Sequence, residues 1–176
     1  SKLEAVKTVK TLSTIKVMGM EMEATTLEMA PNKSKAVQKI MGQEMVQVFD
    51  GEKGYMMQAG QRMDLPAPAN EEEKKKRLFE VLSYNAADFK TVEKVTEEGK
   101  ELYLLAGAGK KLYFDPKTNL LVKSTSDKGD MVILDYMEVD GIKFPKNLKL
   151  AMMGQNMEMT NNQVIVNKEV SAEDFK

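Results

Sequence analysis

The sequence lacks histidine, cysteine and tryptophan altogether among its 176 residues. Histidine and cysteine are the side chains most often used as nucleophiles, proton shuttles and transition-metal ligands. No Asp or Glu pair lies in an apolar setting that would nominate it as acid and base, so a carboxylate-dependent hydrolase is the least favoured interpretation. We therefore expect a protein that is not an enzyme and has no metal or cofactor.

An excess of charge of one sign is also missing, because 26 Lys and Arg residues nearly balance 27 Asp and Glu residues. A net charge of −1 gives no general attraction for polyanions, so we expect no nucleic-acid partner. No stretch has the length of a membrane span. The absence of cysteine suits both the cytosol and an oxidising periplasm. We expect residues 1–176 to form one domain, cut from a longer precursor whose targeting segment would precede Ser1.

Methionine, in contrast, is abundant: 15 residues, against 6 Phe and 5 Tyr. Methionine is unbranched and polarizable, so an interior rich in it can repack around varied shapes. Aromatic side chains fix their neighbours more strongly through ring geometry. The composition favours an apolar surface that adapts to its contacts.

Short alternating apolar runs separated by turn residues fill most of the chain. The turns, such as Asp50–Gly54 and Asp140–Gly141, are too short for a crossover helix, which predicts antiparallel pairing. We expect residues 11–65 to form an unbroken meander. Its first strand is predicted to run from Leu12 to about Glu23, with Met18, Met20 and Met22 on one face, and Ala24 to Met29 to return. Asp127 and Asp130 are interpreted as hairpin residues and not as cation ligands.

A helix signal interrupts the strands near residue 70. Asn70 can cap a helix with Glu73 at the capping-box position, and the helix is predicted to run to about Tyr84. Its charged run, residues 71–77, contains Glu and Lys or Arg at i,i+4 spacing, which indicates a self-neutralised solvated face. Residues 2–10 have helical spacing and are interpreted as the end of a second, partial helix.

The predicted fold class is α+β: about a dozen strands in a single strongly curved antiparallel sheet, with one complete and one partial helix on its concave side. Curvature is expected because strand twist accumulates across a long meander. One complete and one partial helix are too few to cover the whole of that side. The methionines at strand spacing therefore have two interpretations, sealed core or the lining of a ligand cavity. The candidate lining residues are Met18, Met20, Met22, Val48, Leu78, Leu82, Leu104, Phe114, Leu134, Leu150, Met157 and Met159.

Five motifs, most of them turns, follow one another along the chain: Ala30-Pro31-Asn32-Lys33, Phe49 to Tyr55, Tyr113 to Val122, Asp135 to Pro145 and Val166 to Val170. Their order resembles the periplasmic lipoprotein-sorting proteins, the Lol carrier-like superfamily. It is most similar to the carrier-like domain at the C-terminal end of some bacterial insulinase-like zinc peptidases. Tyr55 stands where that family often has Trp, and neither Arg62 nor Arg77 matches its acyl-gating arginine.

The resemblance implies a half-open β-barrel in the periplasm or cell envelope that holds acyl chains in its hollow. The leading functional hypothesis is non-catalytic binding of an apolar ligand or lipoprotein acyl chain. The alternative is an accessory or interaction domain of a larger insulinase-like envelope peptidase, with the hollow filled by its own side chains. In that case the partner would be a peptidase domain of the same precursor.

Overall fold

A computed structural model describes residues 2–152 and 154–176, and its strands all belong to one antiparallel sheet. Within these residues two α-helices are present, α1 (Lys2–Ala5) and α2 (Ala67–Lys75), with 3-10 turns at Glu80–Ser83, Ala86–Asp88 and Ala172–Phe175. The strands are β1 (Thr8–Val17), β2 (Met20–Met29), β3 (Lys33–Ile40), β4 (Gln43–Phe49), β5 (Gly54–Gln58), β6 (Gln61–Asp64), β7 (Thr91–Glu97), β8 (Lys100–Gly107), β9 (Lys110–Phe114), β10 (Leu121–Ser126), β11 (Gly129–Val139), β12 (Ile142–Met152) and β13 (Gln155–Val166).

The spatial order of the 13-stranded sheet is β6-β5-β4-β3-β2-β1-β13-β12-β11-β10-β9-β8-β7. The first and last strands pair at the centre, from Val9 opposite Val166 to Val17 opposite Met157. The two edges are therefore β6 and β7, which are consecutive along the chain. Because the segment 65–90 must join the two edges, it has to cross one face of the sheet. We call that face the inner face and the opposite one the outer face.

The predicted meander over residues 11–65 is confirmed, since β1 to β6 follow one another without a helix. The predicted single strand from Leu12 to Glu23 is wrong. Met18 and Gly19 both have positive φ, 51° and 77°, and form a two-residue hairpin turn. Met20 and Met22 consequently lie opposite Val17 and Ile15 on one face, while Met18 stands at the turn and is 78% exposed. The three methionines do not form one stripe.

The helix predictions also need correction. The N-terminal helix ends at Ala5 and Val9 already lies in β1, where it pairs with Val166. Helix α2 begins at Ala67 after Pro66 and ends at Lys75, so Asn70 is inside it and does not cap it. The Asn70 side chain instead accepts a hydrogen bond from Gly54 N and donates one to Leu65 O. The first of these bonds attaches α2 to the first residue of β5.

The charged run of α2 neutralises itself, but through i,i+3 contacts in place of the predicted i,i+4 pairs. Glu71 bonds Lys74, Glu72 bonds Lys75 and Glu73 bonds Lys76, with N–O distances of 3.1, 2.8 and 2.6 Å. The helix stops before Leu78 and Phe79 because these side chains leave the helical path to pack on the sheet. Within the described residues, none of the helices is long and apolar enough to cross a membrane.

The main core cluster lies between the inner face and the segments that cross it. Its buried members come from α1's end and from the central strands, and Leu3, Leu78 and Phe79 pack against them. The Phe79 and Phe144 ring centroids are 5.9 Å apart. The buried residues of the cluster are Val6, Val9, Ile142, Phe144, Val164 and Val166.

The outer face carries two smaller apolar contacts. The C-terminal 3-10 turn packs on β3 and buries Phe175, which is 1% exposed, while the Tyr55 hydroxyl donates to Lys176 O. At the other end of the sheet Leu102, Leu104 and Tyr113 form a second buried cluster. The outer face is therefore partly sealed by the chain's own side chains.

Candidate ligand-binding site

Two rows of directly opposed residues cross the inner face at the end of the strands away from Phe144. The first row is largely sealed, since Ile15, Leu148 and Ile133 are buried. It reads Met22, Ile15, Met159, Leu148, Ile133 from β2 to β11. The second row lies one step farther from Phe144 along the strands. It continues across the sheet to the β7 edge. It reads Met20, Val17, Met157, Leu150, Met131, Ser124, Leu112, Leu105, Val92.

The second row is apolar except at Ser124, and it is open to solvent in part. Met20 is 46% exposed at one end and Val92 is 72% exposed at the other, whereas Leu112 is 1% exposed. Neighbouring strands lie about 4.8 Å apart, so such a row provides a continuous apolar track perpendicular to the strands. An extended aliphatic chain has the shape that fits such a track.

A cavity of about 430 Å³ opens on this track between β9 and β12. Its apolar floor includes Leu112, Met131, Leu150 and Met152, while Ser124 and the residues of the β10–β11 hairpin supply polar atoms. Ligand pockets in proteins are commonly about 300–1,000 Å³ and lined mainly by apolar side chains with a few polar groups. The volume and the lining of this cavity therefore suit a small apolar ligand or one acyl chain.

The crossing segment borders the cavity through Glu80. Its carboxylate Oε1 lies 2.9 Å from Lys110 Nζ, and the same ammonium lies 5.0 Å from the ring centroid of Tyr84. Burial raises the pKa of Tyr84 well above its usual range, with a further contribution from Glu80. At β8 the segment approaches so closely that a Cβ on Gly107 would lie 1.9 Å from Asp88 O. The segment is thus attached to the β8–β9 hairpin at one side of the cavity.

A carboxyl group is buried at the opposite, sealed end of the inner face. Glu28 lies opposite Val9 on β1 and Ser34 on β3. Desolvation raises the pKa of Glu28 to about 7, an effect that the positive charge of Lys76 only partly offsets. The sequence analysis missed this residue, because Glu28 stands between Leu27 and Met29 in an alternating strand, where a charged side chain is expected to face solvent.

Several predicted lining residues do meet on the inner face: Met20, Met22, Leu150, Met157 and Met159 lie in the two rows. Leu78 packs in the main core, and Leu82, 40% exposed, belongs to the crossing segment. Phe114 lies opposite Tyr103 at the far end of β9 from the cavity.

Other predicted lining residues are placed apart from these. Val48 alternates with inner-face Phe49 and is buried on the outer face, and Leu104 belongs to the outer cluster. Leu134 stands at a β-bulge of β11 and is 56% exposed. Met18 occupies the β1–β2 turn.

The cavity residues that sequence reasoning missed are Leu112, Ser124, Met131 and Met152. Counting outward in steps of two from each hairpin turn would have placed Met131 opposite Ser124 and Leu150. In residues 2–152 and 154–176, no group of three or more His, Cys, Asp or Glu side chains could hold a metal ion. The arrangement offers an apolar floor beneath a rim of polar and charged side chains, among them Glu80, Lys110 and Lys128.

Neither family models nor curated proteins match this sequence. Solved structures do match. The fold is similar to a DUF1329 family protein from Desulfovibrio piger, with a TM-score of 0.63 at 9% identity, covering 99% of this chain and 92% of the other. It is also similar to a putative outer membrane lipoprotein-sorting protein domain from Vibrio parahaemolyticus, with a TM-score of 0.61 at 9% identity, covering 97% and 89%.

These similarities define the fold class: one antiparallel sheet of the half-barrel type that does not close. The predicted fold class is confirmed, including the helices on one side of a sheet that does not close. Neither of the two similar structures is named as a peptidase, so the link to insulinase-like peptidases stays a prediction.

Proposed function

We propose that this protein binds an apolar ligand, such as the acyl chain of a lipid or lipoprotein, along the inner face without catalysing a reaction. The observation that carries the proposal is the second row, a track that is apolar except at Ser124 and opens into a cavity of about 430 Å³. Burying apolar surface is worth about 25 cal/mol per Å², so an aliphatic chain gains affinity from every residue of the track that it covers.

The chemistry of the lining supports a flexible guest. Met131 and Met152 line the cavity, and Met157 and Met20 continue the track toward β2. Unbranched thioether side chains can change rotamer to follow different chain lengths and double bonds. The rim of the cavity carries charged side chains of both signs, such as Lys110, Lys128 and Asp130, so the apolar part of the binding energy comes from the floor.

The cell envelope is the proposed location, because the Vibrio structure with the same fold is named as a lipoprotein-sorting domain. The accessory-domain alternative differs in one physical respect, since it requires the inner face to be filled by the chain's own side chains. The exposure of Met20 and Met152, 46% and 41%, favours the open interpretation.

A charge placed on the open part of the inner face is expected to abolish binding without unfolding the protein. In Met152→Glu the carboxylate can hydrate because the site is open, but an acyl chain would have to desolvate it, which we expect to weaken binding at least about tenfold. Displacement of a fluorescent fatty acid, together with a thermal melt, measures both effects. Met20→Glu is expected to act in the same direction.

The matched controls are Met41→Glu and Met18→Glu, which place the same charge in hairpin turns where the side chains are 89% and 78% exposed. Both are expected to bind the probe like the wild type. A wild-type protein that never binds the probe, combined with a Met152→Glu variant that unfolds, would refute the proposal and leave the filled-core alternative.

A further inference from the structure

The methionines are distributed very unevenly between the two faces of the sheet. By strand alternation and register, most of them lie on the inner face, while Met18 and Met41 stand in hairpin turns and Met29 and Met57 lie on the outer face. The inner-face methionines are Met20, Met22, Met45, Met56, Met63, Met131, Met137, Met152, Met157 and Met159.

Thioethers are also the most readily oxidised side chains in this sequence, which has no cysteine and no tryptophan. With hydrogen peroxide, the sulfur lone pair attacks one peroxide oxygen, the O–O bond breaks, and the second oxygen leaves as water. The sulfur loses two electrons and becomes a sulfoxide, and the peroxide is reduced. Methionine sulfoxide reductases reverse the change, and the sulfoxide is polar where the thioether is apolar.

Accessibility decides which inner-face sulfurs react first. Met63 is the most exposed of the inner-face methionines, at 49%, but it lies on the β6 edge outside the track. Met20 is 46% exposed at the head of the track, and Met152 is 41% exposed beside the cavity. Both stand where a bound aliphatic chain would contact them. A sulfoxide dipole at either position is hydrated in the free protein and would have to be desolvated by that chain.

We propose that Met20 and Met152 form a reversible oxidation site that switches apolar binding off, so that peroxide releases the ligand and enzymatic reduction restores binding. This inference rests on the proposed function, since it concerns the same track. Beyond binding, Met20 and Met152 are assigned a chemical modification, sulfoxide formation, and its consequence, the release of the ligand. Bound ligand should shield both sulfurs and slow their oxidation.

The experiment compares fatty-acid probe binding before and after mild hydrogen peroxide treatment, with peptide mass mapping of each methionine. Oxidised wild-type protein should remain folded and bind about tenfold more weakly, and methionine sulfoxide reductases should restore its affinity. The double variant Met20→Leu, Met152→Leu keeps apolar volume and should keep its affinity after peroxide. The double variant Met18→Leu, Met41→Leu should lose affinity like the wild type.

Three results would overturn the inference. The first is unchanged binding by protein whose Met20 and Met152 are mapped as sulfoxides. The others are a Met18→Leu, Met41→Leu variant that keeps its affinity after peroxide as well as the Met20→Leu, Met152→Leu variant does, and unfolding as the only effect of peroxide. A different result separates the two proposals. If unoxidised wild-type protein does not bind the probe at all, the proposed function fails and the switch fails with it. If it binds and oxidation does not matter, only the switch fails.

Discussion

Phe175→Ala is expected to lower the free energy of unfolding by about 3–5 kcal/mol, the range for removing a buried aromatic side chain. Phe175 is 1% exposed and anchors the C-terminal turn to the outer face at β3. A capping box fixes that turn, in which Ser171 N donates to the Asp174 carboxylate. Loss of the ring therefore leaves a cavity and releases the turn, including the Tyr55 hydrogen bond to Lys176 O.

Urea denaturation with a two-state fit gives the change directly. Phe175→Leu serves as the control, because it keeps most of the apolar volume and should cost clearly less than the alanine variant. A loss below about 1 kcal/mol for Phe175→Ala would show that the turn does not contribute to the stability of the sheet.

Glu28→Gln is expected to stabilise the protein strongly at pH 8 and much less at pH 5. The pKa of Glu28 is about 7 in the folded protein against 4.5 for the unperturbed group, so folding favours the protonated form. As pH rises from 4.5 to 7, the unfolded chain releases this proton first and the free energy of unfolding falls. The full difference is about 3 kcal/mol, at about 1.4 kcal/mol for each pKa unit.

Glutamine has nearly the same shape and no charge, so the variant should lose this part of the pH dependence. Denaturant unfolding at pH 5, 6, 7 and 8 provides the comparison. The control is Glu23→Gln on the same strand, where the side chain is exposed and the substitution should have little effect at any pH. Parallel pH profiles for Glu28→Gln and the wild type would contradict the assignment of a desolvated carboxyl.

Turn chemistry was the part of the sequence that predicted structure best. Asp50-Gly51 and Asp140-Gly141 marked hairpins because their residues tolerate left-handed backbone, and the meander over residues 11–65 followed from the shortness of such turns. The first turn was missed because Met18, with φ of 51°, occupies a position where Asn or Asp is usual. Without this turn, Met18 is predicted to share a strand face with Met20 and Met22, whereas in the structure it lies in the turn itself.

The helix end could not be predicted from local pattern. Residues 71–84 have enough helix formers to continue, and the charge spacing suits a longer helix. The chain leaves the helix at Lys75 because Leu78 and Phe79 bury more apolar surface against Phe144 than they would on an exposed helix. Tertiary packing outweighed propensity.

The strands, most of their turns, the absence of histidine and cysteine chemistry, and the abundance of methionine all follow from the amino-acid sequence. The arrangement of the two halves of the sheet depends on the fold, because the pairing of β1 with β13 joins strands from the two ends of the chain. That pairing makes β6 and β7 the edges, so the segment between them must cross the inner face. The crossing borders the cavity, a consequence that cannot be read from local sequence since it depends on contacts between residues far apart in the chain.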